Sequence, residues 1–101
     1  MEYKYQVRQT RHFAKWFAGL RDDRARLRIQ ARIDRLELGN PGDCKPVGFG
    51  ISEMRIDYGP GYRVYFVRRD NVLFVLLAGG DKRSQRRDIA LAVELSTSEL
   101  E

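Results

Sequence analysis

The stretch VLFVLLAGGDKRSQRRDI, residues 72–89, begins as an apolar run and becomes a cluster of charge after two glycines. Residues 72–78 are apolar at every position, which is typical of a strand that is covered on both faces and lies centrally in its sheet. Gly79 and Gly80 predict the end of this strand, because backbone without side chains turns sharply and lets an elongated ligand approach. A last helix is then predicted from Ser84, as its cap, to about Leu95.

The segments before this strand predict an antiparallel meander. Gly59-Pro60-Gly61 marks one turn, and Asp70-Asn71 has the length of a two-residue hairpin loop that needs positive φ. Consecutive strands that are joined by tight turns pair antiparallel. The predicted strands cover residues 45–49, 52–58, 62–69 and 72–79.

The N-terminal part predicts one strand and two helices. Loose alternation over 2–8 indicates a half-buried strand, and Thr10 caps a helix that begins after it. A second helix begins at Asp22 or Asp23 and ends at Gly39-Asn40-Pro41. Helical spacing places two apolar sets toward the core: Phe13, Trp16, Phe17 and Leu20 in the first helix, and Ala25, Ile29, Ile33 and Leu36 in the second.

The predicted order is therefore β-α-α-β-β-β-β-α in a single domain over 1–101. We expect an α+β fold of two layers, with a mainly antiparallel, twisted sheet and the two N-terminal helices packed on one face. The opposite face, or part of it, would then remain free for function.

The second helix has two further surfaces. Five arginines form a neighbouring stripe, either a solvated face with acidic partners or a basic ridge: Arg21, Arg24, Arg28, Arg32 and Arg35. Leu27, Ala31 and Leu38 lie roughly opposite the core stripe, so this second apolar side packs either on the first helix or on another protein.

The composition narrows the classes of partner. The chain has 19 Lys and Arg against 14 Asp and Glu, a net charge of +5 that favours polyanions. No apolar run reaches the roughly 18 residues that a membrane span needs, so we expect a cytoplasmic protein without a membrane partner. Cys44 is the single cysteine and His12 the single histidine, so no cluster of these residues exists to hold zinc. We expect no metal and no cofactor.

The charge after the glycine pair predicts a phosphate-binding site. Arg55 and Arg63 project from adjacent predicted strands toward the same concavity, beside a helix start that itself attracts anions. The alternative is a solvated helix start with internal salt bridges. The candidate RNA-binding residues are Arg83, Gln85, Arg86 and Arg87, with Tyr58, Tyr62 and Tyr65 as stacking surfaces, and Asp81 and Lys82 add charge at the same edge.

These residues also carry a resemblance to a known family. The runs Glu53-Met54-Arg55, GYRVYF over 61–66 and LLAGGDKRSQ over 76–85, followed by Asp88-Ile89, resemble the phage-derived, HigB-like killer proteins of the RelE/ParE toxin superfamily. The likeness extends over nearly the whole chain. It implies the toxin of a type II toxin-antitoxin module, an addiction-module killer protein that cleaves messenger RNA in the ribosomal A site and stops translation.

The resemblance also implies partners and residue roles. The partners would be the ribosome with its messenger RNA and a cognate helix-turn-helix antitoxin of the HigA-like kind, in a toxin-antitoxin hetero-oligomer. Arg63 matches the family's phosphate-binding arginine and Arg55 the basic position on the preceding strand. The Tyr or His that related ribonucleases carry near the end of the chain has no counterpart after Tyr65.

Chemistry then assigns the catalytic roles. Attack by the RNA 2′-hydroxyl needs a proton acceptor, charge stabilisation at the phosphate and a proton donor, without a metal ion. Arg63 and Arg55 suit the stabilising role, and Lys82 or Asp81 is the candidate for proton transfer, ahead of Asp88.

The antitoxin is expected to cover either the arginines or Leu27, Ala31 and Leu38. The alternatives are a gyrase inhibitor of the ParE type and a non-toxic RNA-binding module.

Overall fold

Alternation of strand and helix patterns along the chain produces an α+β fold, as predicted. The computed structural model describes residues 4–98. The elements are β1 Gln6–Gln9, α1 Arg11–Ala18, α2 Asp23–Glu37, β2 Cys44–Gly48, β3 Ile51–Ile56, β4 Tyr62–Arg69, β5 Leu73–Asp81 and α3 Gln85–Thr97, with a 3-10 turn at Lys82–Ser84 before α3. The order differs from the prediction in detail, because this turn was not foreseen. Part of the strand predicted over 2–8 lies outside the described residues, and β1 begins only at Gln6.

The sheet is mixed and has five strands in the order β1-β5-β4-β3-β2. Strands β2 to β5 form the predicted antiparallel meander, while β1 adds in parallel to the other side of β5. Residues 74–80 are all buried, so β5 is an interior strand, as its continuous apolar pattern predicted.

The two N-terminal helices bury one face of the sheet. Thr10 caps α1, since its Oγ1 accepts a hydrogen bond from the backbone N–H of Phe13 at 3.0 Å. Asp22 caps α2 in the same way through Arg24 and Ala25. Both predicted apolar stripes lie in the core, where Phe13, Ile29, Ile33 and Leu36 pack against residues of β3, β4 and β5.

The opposite face is not free, which corrects the two-layer prediction. Helix α3 packs on it through Ala92 and neighbouring apolar side chains, and forms a second core with Tyr65, Val75 and Leu77. Helices therefore lie on both sides of the sheet. Among the described residues no helix is long and apolar enough to cross a membrane.

The glycine pair does not end β5, contrary to prediction. The strand continues through Gly79 and Gly80 to Asp81. A Cβ on Gly79 would lie 2.2 Å from the indole of Trp16, and one on Gly80 would lie 1.8 Å from Oδ2 of Asp88. The two glycines therefore admit α1 on one face and α3 on the other.

Two loops also differ from their predicted form. The hairpin between β4 and β5 pairs Arg69 with Leu73 and so has three loop residues, although Asp70 does adopt the expected positive φ of 57°. Ser84 does not cap α3 through its side chain. It completes a capping box with Asp81 around the 3-10 turn instead.

Thr10 ties α1 to the centre of the sheet, which generates the first prediction. Its buried hydroxyl accepts from Phe13 and donates to the carbonyl of Leu77 at 2.8 Å. Thr10→Ala should lower the free energy of unfolding by about 2 kcal/mol, because a helix cap and a buried hydrogen bond are both lost. The matched control is Thr97→Ala at an exposed site, with an expected change within about 0.5 kcal/mol. Equal destabilisation of the two variants in urea denaturation would contradict this role.

Candidate functional site

Three cationic side chains line one open cavity, which we call the arginine pocket. Arg55 on β3 and Arg63 on β4 are directly paired across the two strands. A Cβ on Gly61 would lie 3.4 Å from Nη1 of Arg63 and 3.5 Å from Cβ of Lys82, so the lysine adjoins the same corner. The cavity has a volume of about 530 Å³ and is lined by Asp43, Arg55, Ile56, Asp57, Gly59, Pro60, Gly61, Arg63 and Lys82.

Arg55 is held at the pocket rim by an acidic partner. Its Nη2 lies 2.7 Å from Oδ1 of Asp43, and both side chains are substantially exposed. The hydrogen bond from Arg55 lowers the pKa of Asp43 below its usual value and raises the pKa of Arg55. The pair keeps Arg55 in place, and its exposure means that a stronger anion can displace the carboxylate at small cost.

Arg32 fixes the loop that carries Asp43. Its guanidinium donates to the carbonyls of Arg55 at 2.7 Å, Pro41 at 3.0 Å and Asp43 at 3.2 Å. A Cβ on Gly42, whose φ is +71°, would lie 2.9 Å from this guanidinium. Arg32 therefore does not lie on the exposed arginine stripe that was predicted for α2. Its hydrogen bonds connect α2 to the pocket rim, whereas the other four arginines of the stripe are exposed.

A buried carboxylate lies behind Arg63. Glu53 is 0% exposed, and its Oε1 lies 3.8 Å from Nε of Arg63, while neither atom has a hydrogen-bond partner. Nη1 of Arg63 donates to the carbonyls of Gly61 at 3.1 Å and Tyr62 at 3.3 Å. The guanidinium is thus oriented from two sides. The sequence gives no local signal for this role of Glu53, because its partners lie on another strand and on α3.

Two predicted RNA ligands belong to the same buried network. Oε2 of Glu53 accepts from the hydroxyl of Tyr65 at 3.0 Å and from Nε2 of Gln85 at 2.6 Å. Burial, and then the hydrogen bond to Glu53, raise the pKa of Tyr65 far above its usual value. Because Tyr65 is 0% exposed, it offers no surface on which a base can stack, and the prediction that RNA stacks on it is wrong. Gln85 is half-buried, and its contact with RNA stays a prediction.

The two carboxylates considered for proton transfer are engaged internally. Oδ1 of Asp81 accepts from the backbone N–H groups of Arg83 at 2.9 Å and Ser84 at 3.3 Å. Asp88 is buried, and its Oδ2 accepts from the Ser84 hydroxyl at 2.5 Å. Neither carboxylate lines the arginine pocket. Lys82 is exposed there and is the remaining predicted candidate for proton transfer.

The remaining predicted RNA ligands face a different cavity. Arg83, Arg86 and Arg87 line a larger groove of about 1370 Å³ between α1 and α3. We call it the α1–α3 groove; its lining residues are His12, Trp16, Gly79, Gly80, Asp81, Arg83, Ser84, Arg86, Arg87, Asp88, Ala90, Leu91 and Glu94. The one site predicted from the sequence is therefore divided into two.

The tyrosines of the β3–β4 region are also partly engaged. Tyr62 meets Trp16 edge-on, with ring centroids 6.3 Å apart, and burial raises its pKa. The Tyr58 hydroxyl donates to Asp22 at 3.0 Å, and Arg28 lies 4.6 Å above its ring. Neither Tyr58 nor Tyr62 is among the residues that line the arginine pocket.

The second apolar side of α2 is largely exposed. Leu27 is 70% exposed and Ala31 is exposed, whereas Leu38 is half-buried. Helix α1 does not cover Leu27 or Ala31. Of the two alternatives for this side, packing on α1 is therefore wrong for these two residues.

Comparison with known proteins places the chain in a family. A protein of Haemophilus influenzae that is described as uncharacterized is 49% identical to it over 87 residues, which is 86% of this chain and 88% of that protein. The chain belongs to the same family as this Haemophilus influenzae protein. No family model matches the chain. Within residues 4–98, no group of three or more His, Cys, Asp or Glu side chains is placed to hold a metal ion.

The Asp43–Arg55 pair generates the second prediction. Its hydrogen bond should contribute stability above the ordinary Asp pKa of about 3.9, and that contribution should disappear as the pH falls through the lowered pKa of folded Asp43. Arg55→Gln should therefore raise the pKa of Asp43, measured by carboxyl carbon NMR. The control Arg86→Gln should leave that pKa where it is. An unchanged Asp43 titration in Arg55→Gln would show that the pair does not exist in solution.

Proposed function

We propose that this chain is the toxin of a type II toxin-antitoxin module, in the HigB-like branch of the RelE/ParE superfamily, and that it cuts messenger RNA on the ribosome. The observation that carries the proposal is the convergence of Arg55, Arg63 and Lys82 on one pocket. The mainly antiparallel sheet with two helices before it agrees with the fold that the resemblance implies. The net charge of +5 suits an RNA substrate.

The two arginines stabilise the reacting phosphate. As the 2′-hydroxyl attacks, negative charge grows on the equatorial oxygens, and a planar guanidinium donates two parallel hydrogen bonds to them. Arg63 is suited to this role because Glu53 and the carbonyls of Gly61 and Tyr62 already fix its orientation. Arg55 joins it once the phosphate replaces Asp43 as its partner.

Proton transfer is the weak part of the pocket. Arginine holds its proton at any physiological pH, and Asp81 is committed to its turn, so Lys82 is the proposed group for protonating the leaving 5′ oxygen. The proton of the attacking 2′-hydroxyl would pass to water, because neither Asp81 nor Asp88 lines the pocket, and such a pocket would act slowly on free RNA. The ribosome would supply the orientation of the 2′-hydroxyl that the protein lacks.

A second candidate function is inhibition of DNA gyrase by protein contact, as in the ParE branch. The carboxylates favour it: Asp43 and Asp57 line the pocket with the three cations, and Glu53 lies behind Arg63. A pocket so nearly neutral binds a polyanion weakly. The third candidate, a non-toxic RNA-binding module, is favoured by the basic charge alone.

The third prediction separates these functions. In a reconstituted translation system with ribosomes, the protein should cleave the messenger, and Arg63→Ala should slow cleavage by about 100-fold or more, because a preorganised donor to the reacting phosphate is lost. The control Arg24→Ala, on the exposed side of α2, should retain full activity.

Three outcomes would contradict this assignment in different ways. Equal cleavage of naked RNA would refute the ribosome dependence. Intact messenger together with a loss of supercoiling by purified gyrase would support the ParE-like alternative. Harmless overproduction in cells would leave only the RNA-binding module.

A toxin of this kind needs an antitoxin, and we propose the exposed side of α2 as one surface that it covers. Leu27 projects from α2 with Ala31 one turn further on, and the neighbouring arginines give the patch a basic rim. An amphipathic, acidic segment of the antitoxin fits this chemistry. The product of the neighbouring reading frame is the natural protein with which to test it.

The fourth prediction concerns that surface. Leu27→Glu should weaken the complex with the antitoxin by about 10-fold or more, because a charge replaces an apolar anchor, without lowering the melting temperature of the toxin. The matched control is Val72→Glu, at an apolar residue that is 50% exposed in the β4–β5 hairpin. Equal affinity of the Leu27→Glu variant and the unaltered toxin in calorimetry would exclude this face of α2.

A further inference from the structure

The α1–α3 groove is larger than the arginine pocket and has no role in the chemistry proposed above. Its volume of about 1370 Å³ exceeds the roughly 300–1000 Å³ that is typical of small-molecule sites. An open groove of this volume has room for a segment of a polymer. The charge and the aromatic rings of its walls indicate which polymer it would bind.

One wall of the groove is cationic. Arg83, Arg86 and Arg87 are exposed along the start of α3. Three carboxylates also line the groove: Asp81 caps the 3-10 turn, Asp88 is buried against the hydroxyl of Ser84, and Glu94 lies seven residues beyond Arg87, about 10 Å further along α3. The start of α3 is therefore the cationic part of the groove. Nε of Arg87 lies 3.7 Å from Asp88, but with an arginine side chain that is 83% exposed this contact is weak.

The other wall is aromatic. His12 and Trp16 are one turn apart on α1, so they share the side of the helix that faces the groove. His12 is exposed and Trp16 is half-buried against Gly79. Guanidinium groups opposite aromatic rings are the combination that holds single-stranded nucleic acid, with phosphates on the first and bases on the second.

The groove adjoins the arginine pocket. Lys82 lines the pocket and Arg83 lines the groove, and the Cα atoms of consecutive residues are about 3.8 Å apart. One RNA strand can therefore pass over the 3-10 turn from the arginine pocket into the α1–α3 groove. A protein helix that docked in the groove would find few apolar contacts on α3, since Ala90 and Leu91 are the apolar side chains that α3 contributes to the lining.

We propose that the α1–α3 groove binds single-stranded RNA next to the phosphate that lies in the arginine pocket, with Arg83, Arg86 and Arg87 on its phosphates and His12 and Trp16 against its bases. This inference rests on the proposed action on RNA. It adds a binding site on the far side of the turn, and it gives the single histidine of the chain a role in holding the substrate.

The fifth prediction uses Trp16 as its own reporter, because it is the only tryptophan of the chain. The ligand is a 2′-O-methyl oligouridine of about eight nucleotides, which fits the site size of single-strand binders and cannot be cut by 2′-hydroxyl attack. Saturable quenching of Trp16 emission is expected, and the slope of log affinity against log salt should fall in magnitude by about 0.7 for each arginine contact removed.

Matched charge reversals locate the binding. The double variant Arg86→Glu, Arg87→Glu should weaken binding by about 10-fold or more, and His12→Ala by roughly five-fold through lost stacking. The control, Arg21→Glu with Arg24→Glu, makes the same change of net charge at exposed residues outside the groove and should retain affinity within about two-fold. Melting temperatures verify that all variants are folded.

Several outcomes overturn the inference. These are unchanged Trp16 emission under saturating RNA, an equal loss of affinity in both charge-reversal pairs, and equal binding of a polyglutamate peptide, which would indicate an acidic protein segment instead. Failure here is distinct from failure of the proposed function. If the groove variants still cleave messenger on ribosomes and only Arg63→Ala does not, the groove proposal falls and the nuclease proposal stands.

Discussion

Close packing against two glycines of the interior strand is the constraint on which the rest of the structure depends. Trp16 lies against Gly79 on one face of β5, and Asp88 lies against Gly80 on the other. Any side chain at either glycine would separate a helix from the sheet. Because both helices close onto the same end of β5, the 3-10 turn that follows is held between two cavities, the arginine pocket and the α1–α3 groove.

Much of the fold follows from local patterns in the sequence. Helical spacing predicts the buried side of α2, and the cap at Thr10 predicts the start of α1. Both features depend on residues within a few positions of one another. The continuous apolar run gives the interior strand. The packing of α3 on the second face did not follow, since its single fully buried apolar residue, Ala92, gives only a weak amphipathic signal.

Less of the candidate site could be predicted from the sequence, because the side chains that contact one another there are distant along the chain. Glu53 lies in an ordinary alternating strand, and nothing local indicates that Gln85, 32 residues later, closes over it. Arg32 looks like any arginine of an exposed stripe, yet its long side chain reaches carbonyls of a loop and of β3. Nothing near the glycine pair in the sequence shows that Trp16 and Asp88 pack against it.

The central claim is that Arg55, Arg63 and Lys82 act together on one phosphate of an RNA backbone. The most direct test is side-chain nitrogen NMR of these three residues during titration with a 2′-O-methyl dinucleotide. We expect all three signals to shift with one common dissociation constant, while Asp43 loses its hydrogen bond from Arg55. Signals that shift with different affinities, or an Asp43–Arg55 pair that persists at saturation, would contradict it.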